Sequence, residues 1–375
     1  MNSPANILWI SCVGEKGGAE VYLLNLLRHL DRGRFNPMVA LLRPGPLEED
    51  LRALGVRTFI LDAHRMRNVV AVGKAILALV NIIRQEKISL IHSNGFRAHV
   101  YGGLAAKLAG IPEVWLAHTA EKPGLATSLI RRIPTRHVVA NCPRTADYFV
   151  AHGFPTSLIW PGVDVEQLSK GTSREELAAR FGLPLAARWV SMGARLQRFK
   201  GQDYFIRALA GIAAAQSDVH GVIIGSNLFG LEQDYLAELK ALAGALGLAG
   251  RIHFTGFISD ADVYGLLAAS EMLVHPALDE DFGLIVAEAQ ALGRPVLAFA
   301  SVGPAAIVAD GQTGRLVPVG DQRLLAAALD ELLAQPATLR RWGAAGRERA
   351  PRLFGVPACT RQLERIYATC LRPGP

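Results

Sequence analysis

The chain has 375 residues, half of them hydrophobic, which is enough for a substantial core and, by the usual domain size, for two domains. Lysine and arginine exceed aspartate and glutamate by 40 − 33 = 7, a basic balance that suits phosphorylated ligands or an anionic membrane surface. Aromatic residues are only 7% of the chain and no long basic block carries them, so we expect no nucleic-acid partner.

Secretion and membrane insertion are not indicated by the sequence. The opening stretch, MNSPANILWISC, has neither a basic segment nor a cleavage-type end and predicts no signal peptide. The longest apolar segment, residues 69–83, is broken by Lys74 and is too short to cross a bilayer. The four cysteines form no C-x-x-C pair and no metal-ligand spacing, which is typical of free thiols in a reducing compartment. We therefore expect a cytoplasmic protein that needs neither a metal nor a cofactor.

Apolar, β-branched runs alternate with helical segments from the first residues onward. The run NILWIS predicts a strand, and a glycine loop and a helix with leucines at positions 23, 24, 27 and 30 follow it. Four further strands are predicted in this half of the chain, at residues 56–62, 88–94, 113–119 and 137–142. Near-continuous apolar strands separated by helices indicate a parallel sheet that is covered on both faces.

The alternation stops at residues 160–188, a polar segment punctuated by glycine and proline, and then resumes. The strands of the second half are predicted at residues 189–195, 220–226, 251–257, 271–277 and 294–300, and residues 355–371 have the spacing of a final helix. We predict two Rossmann-like domains, residues 1–165 and 166–355, that face each other across a cleft. Ligands in such folds bind beyond the carboxyl ends of the strands.

The segment DEDFGLIVAEAQALGRPV holds two glutamates, Glu280 and Glu288, on either side of a predicted helix start. The free N–H groups near Gly283, Leu284 and Ile285 would favour an anion such as a diphosphate, with one glutamate toward each end of the ligand. The alternative is an acidic stretch that merely complements the helix dipole. That alternative does not account for Glu288, which lies between alanines inside the helix.

Two basic residues, Arg195 and Lys200, follow a predicted strand and precede a helix that begins near residue 202. Two cations at the carboxyl end of a strand suit a phosphate clamp. Solvated loop charges are the alternative. The earlier loop GEKGGAE has neither the dinucleotide nor the P-loop spacing, but its glycines allow the backbone to approach a ligand closely. An ordinary strand-to-helix turn explains that loop equally well.

His118 and two D-x-D triplets complete the candidates. His118 lies at the end of a predicted strand, where it would face the cleft, although a lone histidine is more often a structural hydrogen-bonding residue. The triplets begin at Asp260 and Asp279. The first reads as a helix N-cap region and the second belongs to the two-glutamate segment, so neither predicts a metal site.

Together these segments resemble the retaining glycosyltransferases of family 4, which have the GT-B fold. The resemblance extends over nearly the whole chain, and the order and spacing of the motifs make it specific. The motifs are GGAE (17–20), WPGVD (160–164), ARLQRFKG (194–201), FTGFISDADV (254–263), DEDFGLIVAEAQALGRPVLA (279–298) and DGQTGRLV (310–317). In this fold the final helix, residues 356–375 here, crosses back to the N-terminal domain.

The resemblance implies a donor site in the C-terminal domain. Arg195 and Lys200 would hold the diphosphate of a UDP- or GDP-linked sugar, Glu280 the sugar hydroxyls and Glu288 the ribose. Backbone around Phe282, Gly283, Leu284 and Ile285 would support the distal phosphate, and backbone at Gly256, Phe257 and Ile258 would receive the base. On the acceptor side, Gly17 and Gly18 would line the cleft and His118 would lie close to the transferred sugar.

The implied chemistry needs no metal, because the cations and helix-start N–H groups stabilise the charge that grows on the leaving diphosphate. Two positions depart from the family pattern. Ala306 stands where an acidic residue is common, which puts fine donor contacts in doubt, and Asn227 alters a Gly-acid-Gly loop. Neither removes the diphosphate clamp.

The acceptor implied by the resemblance is a glycan, a lipid-linked glycan or a small molecule, in polysaccharide or glycolipid synthesis. A helix presenting Arg131, Arg132 and Arg136 would suit peripheral docking on anionic lipid, and a solvated basic face is the alternative. Two other readings stay open: a nucleotide-sugar epimerase of the same fold and a non-catalytic nucleotide-sugar-binding scaffold. Only the scaffold would bind donor without turnover.

Overall fold

The computed structural model describes residues 3–12, 18–61, 63, 69–119, 128, 130–227 and 232–372. The chain divides into two compact units, Met1–Gly162 with Val356–Pro375, and Val163–Gly355. Each unit contains one sheet in which all the paired strands run parallel, with helices along the chain between them. The α/β class predicted from the alternation of apolar strands and helices is confirmed in both units.

The two sheets contain seven and six strands among the described residues. The first sheet is formed by β1 (Ala5–Ser11), β2 (Phe35–Leu41), β3 (Arg57–Ile60), β4 (Leu90–Asn94), β5 (Glu113–Ala117), β6 (His137–Ala140) and β7 (Thr156–Leu158). The second is formed by β8 (Arg188–Gly193), β9 (Val219–Ile224), β10 (Ile252–Phe254), β11 (Met272–His275), β12 (Val296–Phe299) and β13 (Gly314–Val317). The strand orders are β3-β2-β1-β4-β5-β6-β7 and β10-β9-β8-β11-β12-β13. In each sheet the order of the strands therefore reverses beside the strand that comes first in the chain.

Helices connect the strands. Those of the first half are α1 (Gly18–His29), α2 (Leu47–Ala53), α3 (Val69–Gln85), α4 (Phe96–Ala109) and α5 (Pro143–Ala151). Those that follow are α6 (Val165–Leu168), α7 (Arg174–Phe181), α8 (Gln202–Ile212), α9 (Tyr235–Ala245), α10 (Asp260–Ala269), α11 (Leu284–Ala291), α12 (Val302–Ile307), α13 (Gln322–Leu333), α14 (Pro336–Phe354) and α15 (Val356–Cys370). None of the helices in the described part of the chain is long and apolar enough to cross a membrane.

The final helix, α15, packs on the first unit, as the resemblance implies. Leu363 and Tyr367 are buried in the same apolar cluster as Leu23 and Leu27 of α1. The hydroxyl of Tyr367 lies 2.7 Å from Nδ1 of His92 in β4, and both side chains are buried. Apolar burial and one buried hydrogen bond therefore attach the end of the chain to the first sheet.

The structure differs from the sequence-based prediction at several elements. Strands β2, β7 and β13 were not predicted, because β2 contains Pro37, β7 is a three-residue strand at the sheet edge, and β13 begins with a glycine. The polar segment at residues 160–188, where the predicted alternation of strands and helices stops, contains helices α6 and α7. The predicted helix presenting Arg131, Arg132 and Arg136 is wrong, since these three residues lie in turns and irregular chain before β6.

Candidate functional site

The carboxyl ends of two neighbouring strands in the second sheet carry the charged residues of the candidate site. Strands β8 and β11 pair in parallel, so the loops that follow them lie side by side. The loop after β8 carries Arg195 and Lys200, and the loop after β11 carries Glu280. Residues 80 positions apart in the sequence thereby meet at one edge of the sheet.

Lys200 and Glu280 form a largely buried ion pair. Nζ of Lys200 lies 2.5 Å from Oε2 of Glu280, and Nε2 of His275, the last residue of β11, lies 3.3 Å from the same oxygen. Burial by itself would raise the pKa of Glu280, but His275 and Lys200 together outweigh it and hold that pKa at about 2. Glu280 is thus a carboxylate at every physiological pH, and it keeps acceptor capacity for a ligand hydroxyl.

The backbone of the basic loop is fixed by tight contacts. Gly201 has φ +77°, and a Cβ there would lie 2.0 Å from the carbonyl oxygen of Pro276, so only glycine fits. The N–H of Leu278 donates to the carbonyl of Phe199 at 2.8 Å, which joins the two loops directly. Gln202, fully buried, donates from Nε2 to the carbonyl of Arg195 at 2.8 Å. The side chain of Arg195 itself is exposed.

Helix α11 begins beside the ion pair. Its N-cap, Gly283, has φ +80°, and a Cβ there would lie 3.2 Å from Cγ of Glu280. The N–H of Gly303 donates to the carbonyl of Glu280 at 2.7 Å, which anchors the acidic loop from the other side. Ile285 packs against Gly193, where a Cβ would collide with its Cδ1. The first N–H groups of α11 therefore start next to Glu280 in a position that glycines make possible.

Glu288 lies inside α11, as predicted, and its pKa is shifted in the opposite direction to that of Glu280. Burial, and to a smaller extent the charge of Asp260 at the start of α10, raise the pKa of Glu288 to about 7. No ion pair or hydrogen bond of its carboxyl group is seen within the described residues. Glu288 is therefore poised to change charge near neutral pH.

The predicted base-binding segment follows β10. Gly256 has φ +70° and forms an isolated bridge with Gly225, and the side chain of Phe257 is 75% exposed. Ile258 is partly buried, and Ser259 then caps α10 by accepting a hydrogen bond from the N–H of Asp262 at 3.2 Å. The N-cap interpretation of this D-x-D triplet is confirmed. In the described part of the chain no three His, Cys, Asp or Glu side chains cluster as metal ligands.

His118 lies in the first unit, directly after β5. Its Nε2 is 2.7 Å from Oδ1 of Asn94 and its Nδ1 is 3.5 Å from Nδ2 of Asn141. Burial lowers the pKa of His118 to about 4, so the ring is neutral at physiological pH. Gly18 is the first residue of α1, and Gly17 lies outside the described residues.

The structure thus brings together Lys200, Glu280 and Gly283 from the predicted set, places Arg195 at the surface of the same loop, and places Glu288 along the adjoining helix. Sequence reasoning missed four supporting residues: His275, Gln202, Asn94 and Asn141. The only sequence signal for His275, Asn94 and Asn141 is that each lies at the carboxyl end of a predicted strand, and Gln202 begins the helix after the basic loop. Ala306 is part of α12, next to the loop-anchoring Gly303, and offers no acidic group there.

Two family models match the chain. The model described as Glycosyltransferase Family 4 matches residues 16–167, and the model described as Glycosyl transferases group 1 matches residues 173–349. Together they extend over most of both units.

Curated relatives and solved structures are similar over most of the chain. A D-inositol 3-phosphate glycosyltransferase of Corynebacterium diphtheriae is 28% identical over 388 residues, covering 94% of this chain and 90% of its own length. One of the same name from Corynebacterium kroppenstedtii is 30% identical over 323 residues, covering 79% of this chain and 71% of its own. The crystal structure of Anabaena HepE in complex with UDP and glucose superposes with a TM-score of 0.81 at 25% identity, covering 97% of this chain and 100% of that one.

Proposed function

The chain belongs to family 4 of the glycosyltransferases and is an enzyme of the GT-B fold, and from this premise we propose that it transfers a sugar from a UDP-linked donor with retention of anomeric configuration. The observation that carries the donor assignment is the Lys200–Glu280 pair at the start of α11. A cation, a carboxylate kept ionised and a helix start together match the phosphate and sugar of such a donor.

The diphosphate would lie against the loop after β8. Lys200 and Arg195 supply two positive charges, and the N–H groups of Leu284 and Ile285 supply uncharged donors at the helix start. Gly201 and Gln202 fix the backbone of the loop that carries Lys200 and Arg195, and Gly283 sets the start of the helix that carries the two N–H groups. Preorganised donors of this kind stabilise the charge that develops on the leaving group without reorganisation.

The two glutamates would bind different parts of the donor. Glu280, held as a carboxylate by Lys200 and His275, accepts hydrogen bonds from hydroxyls of the transferred sugar. Glu288, farther along α11, accepts hydrogen bonds from the ribose hydroxyls. The backbone of Gly256, Phe257 and Ile258 receives the polar edge of the base.

The reaction is written as a same-face displacement. The bond between the anomeric carbon and the diphosphate oxygen breaks, and the electron pair leaves with the phosphate. The acceptor hydroxyl attacks the anomeric carbon from the same face, and its proton passes to the departing phosphate oxygen. Lys200, Arg195 and the helix start lower the barrier by stabilising the negative charge on that phosphate. His118 would lie near the transferred sugar as a neutral hydrogen-bonding group.

The choice of UDP is supported by HepE, whose crystal structure contains UDP and glucose. The acceptor class is supported by the curated relatives, which are named for D-inositol 3-phosphate. The first unit, with Gly17, Gly18 and His118, would bind this acceptor, which is a small phosphorylated polyol, a glycan or a lipid-linked glycan. Exposed Arg132 and Arg136 would give the first unit a peripheral contact with anionic lipid of a membrane facing the cytoplasm.

The test combines binding and turnover. Thermal unfolding of the wild type and of Lys200→Ala is followed with UDP, GDP, ADP and UDP-glucose, where a ligand at 100 times its Kd should add about 2.7 kcal/mol of stability. We expect UDP compounds to stabilise the wild type and not the variant. UDP release in the presence of D-inositol 3-phosphate or a glycan acceptor, with proton NMR of the product, then reports turnover and anomeric configuration. Donor binding without UDP release with any acceptor, or an inverted product, would contradict the proposal.

A further inference from the structure

The carboxyl edge of the first sheet carries three polar side chains in one row. Asn94 ends β4, His118 follows β5 and Asn141 follows β6, and these three strands are neighbours in the sheet. The imidazole lies between the two amides, with Asn94 at its Nε2 and Asn141 at its Nδ1. The two contacts have different lengths, so the two ring nitrogens are not equivalent.

The short contact determines which nitrogen carries the proton. Nδ2 of Asn94 donates to the carbonyl of Ala19 at 3.4 Å, and this contact turns the amide so that Oδ1 faces the imidazole. An amide oxygen can only accept, so the 2.7 Å contact requires a proton on Nε2 of His118. Ala19 lies in the first turn of α1. The orientation of the ring is therefore linked to the position of that helix start.

The other nitrogen keeps its lone pair. Nδ2 of Asn141 lies 3.5 Å from Nδ1 of His118, at the outer limit of a hydrogen bond, so a better donor can replace it at little cost. Among the described residues, the titratable groups beside the ring are Tyr22 of α1, whose ring centroid lies 6.4 Å from that of His118, and His92 of β4. Burial raises the pKa of Tyr22 and lowers that of His92, so both are uncharged near neutral pH. No carboxylate is among these neighbours, and the imidazole stays neutral.

We propose that Asn94 is a positioning residue that holds His118 in its Nε2–H tautomer, so that Nδ1 accepts a hydrogen bond from a hydroxyl of the substrate. The hydrogen bond from the substrate to Nδ1 rests on the proposed transferase function, whereas the tautomer of His118 does not. His118 then orients a hydroxyl without removing its proton, and no proton transfer passes through the ring. The alignment depends on the first turn of α1, because the carbonyl of Ala19 accepts the hydrogen bond that orients the Asn94 amide.

The tautomer is tested by NMR on the full-length chain labelled with ¹⁵N at histidine. The spectrum of His118→Gln identifies the resonances of His118. We expect the wild type to show a protonated Nε2 and an unprotonated Nδ1, unchanged between pH 6 and 8. Asn94→Ala should give a mixture of tautomers. In Asn94→Asp a carboxylate replaces the amide and should raise the midpoint of the His118 titration by roughly 1–3 pH units.

The matched control is Asn36→Ala, which removes an exposed asparagine at the amino edge of the same sheet and should leave the His118 signals unchanged. A wild-type spectrum with the proton on Nδ1, or an Asn94→Ala spectrum identical to that of the wild type, would overturn the positioning role. These outcomes are readable even if the transferase proposal fails.

The hydrogen bond that Nδ1 of His118 accepts from the substrate is tested by kinetics with a UDP-sugar donor and a sugar acceptor that supports turnover. Asn94→Ala should lower kcat about tenfold, the effect of one hydrogen bond lost in the transition state, with little change in the KM for donor. In Asn94→Asp, kcat at saturating donor should fall on acidification with the same midpoint as the His118 titration, while kcat of the wild type stays flat from pH 6 to 8. Unchanged kcat in Asn94→Ala despite mixed tautomers would show that Nδ1 does not bind the substrate.

Discussion

Nζ of Lys200 lies 2.5 Å from Oε2 of Glu280, and the two side chains are only 11% and 14% exposed. With His275 at 3.3 Å from the same oxygen, this cluster keeps a carboxylate ionised in a place where burial alone would protonate it. The same contact pairs the charge that would bind phosphate with the charge that would bind sugar.

The ion pair should be strongly coupled. Lys200→Met leaves a buried carboxylate with only His275, and Glu280→Gln leaves a buried ammonium, so each should lower the free energy of unfolding by about 3 kcal/mol. The double variant removes both charges and should be no less stable than the worse single variant. Urea denaturation at pH 7 of the wild type, the two single variants and the double variant measures the coupling free energy. Arg52→Met, which breaks an exposed pair with Glu48, is the control and should cost less than about 0.5 kcal/mol. Additive losses in the double variant would show that the pair is not coupled.

Nucleotide affinity should depend on the charge of Glu288. In the free protein its pKa is raised to about 7, and binding ribose hydroxyls favours the carboxylate. Binding should therefore tighten as pH rises toward 7 and level off above it, because the proton no longer has to be removed. Calorimetric Kd values for UDP from pH 5.5 to 8.5 measure this trend.

The control for that prediction is Glu288→Gln, which has no titrating group at this position. Any dependence that remains in it comes from the phosphate of UDP, whose own second ionisation lies near pH 6. Identical pH profiles for the wild type and Glu288→Gln would mean that Glu288 does not contact the nucleotide, or that it is ionised throughout.

Gly283 should tolerate no side chain. Gly283→Ala places a Cβ at φ +80° and 3.2 Å from Cγ of Glu280, so it should lower stability by about 1–2 kcal/mol and weaken UDP binding. The matched control is Gly244→Ala in the last turn of α9, where a Cβ meets nothing within 4 Å, and it should raise stability by about 0.5 kcal/mol. We expect the unfolding temperature to fall in Gly283→Ala and to rise in Gly244→Ala. A neutral Gly283→Ala with unchanged UDP affinity would place the donor elsewhere.

The C-terminal helix should depend on one buried hydrogen bond. Tyr367→Phe leaves Nδ1 of His92 without its 2.7 Å partner, and the described residues give His92 Nε2 no partner either. An unsatisfied buried group of this kind costs about 1–3 kcal/mol. Thr369→Ala, two residues away on the exposed face of α15, should change stability by less than about 0.5 kcal/mol. Equal stabilities for the two variants in urea denaturation would contradict this role of the Tyr367 hydroxyl.

The sequence by itself determined most of the elements and the order of the motifs. Buried parallel strands appear as short apolar runs because both of their faces pack against helices, so β1, β4, β8 and β11 are visible without a structure. The turn at Gly283 and the helix after it were also predictable, since they depend on local backbone chemistry. Strand β2, with its internal proline, shows where such local rules fail.

Tertiary structure alone decided which of these residues meet. His275 and Glu280 reach Lys200 only because β11 pairs with β8, a crossover that no local pattern encodes. The same is true of the two asparagines that flank His118.

Glu280 and Glu288 show the physical reason. They are identical residues eight positions apart, yet His275 and Lys200 hold the pKa of Glu280 at about 2, and burial with a nearby carboxylate raises that of Glu288 to about 7. A residue's charge state depends on its surroundings in space, and only the folded chain supplies them.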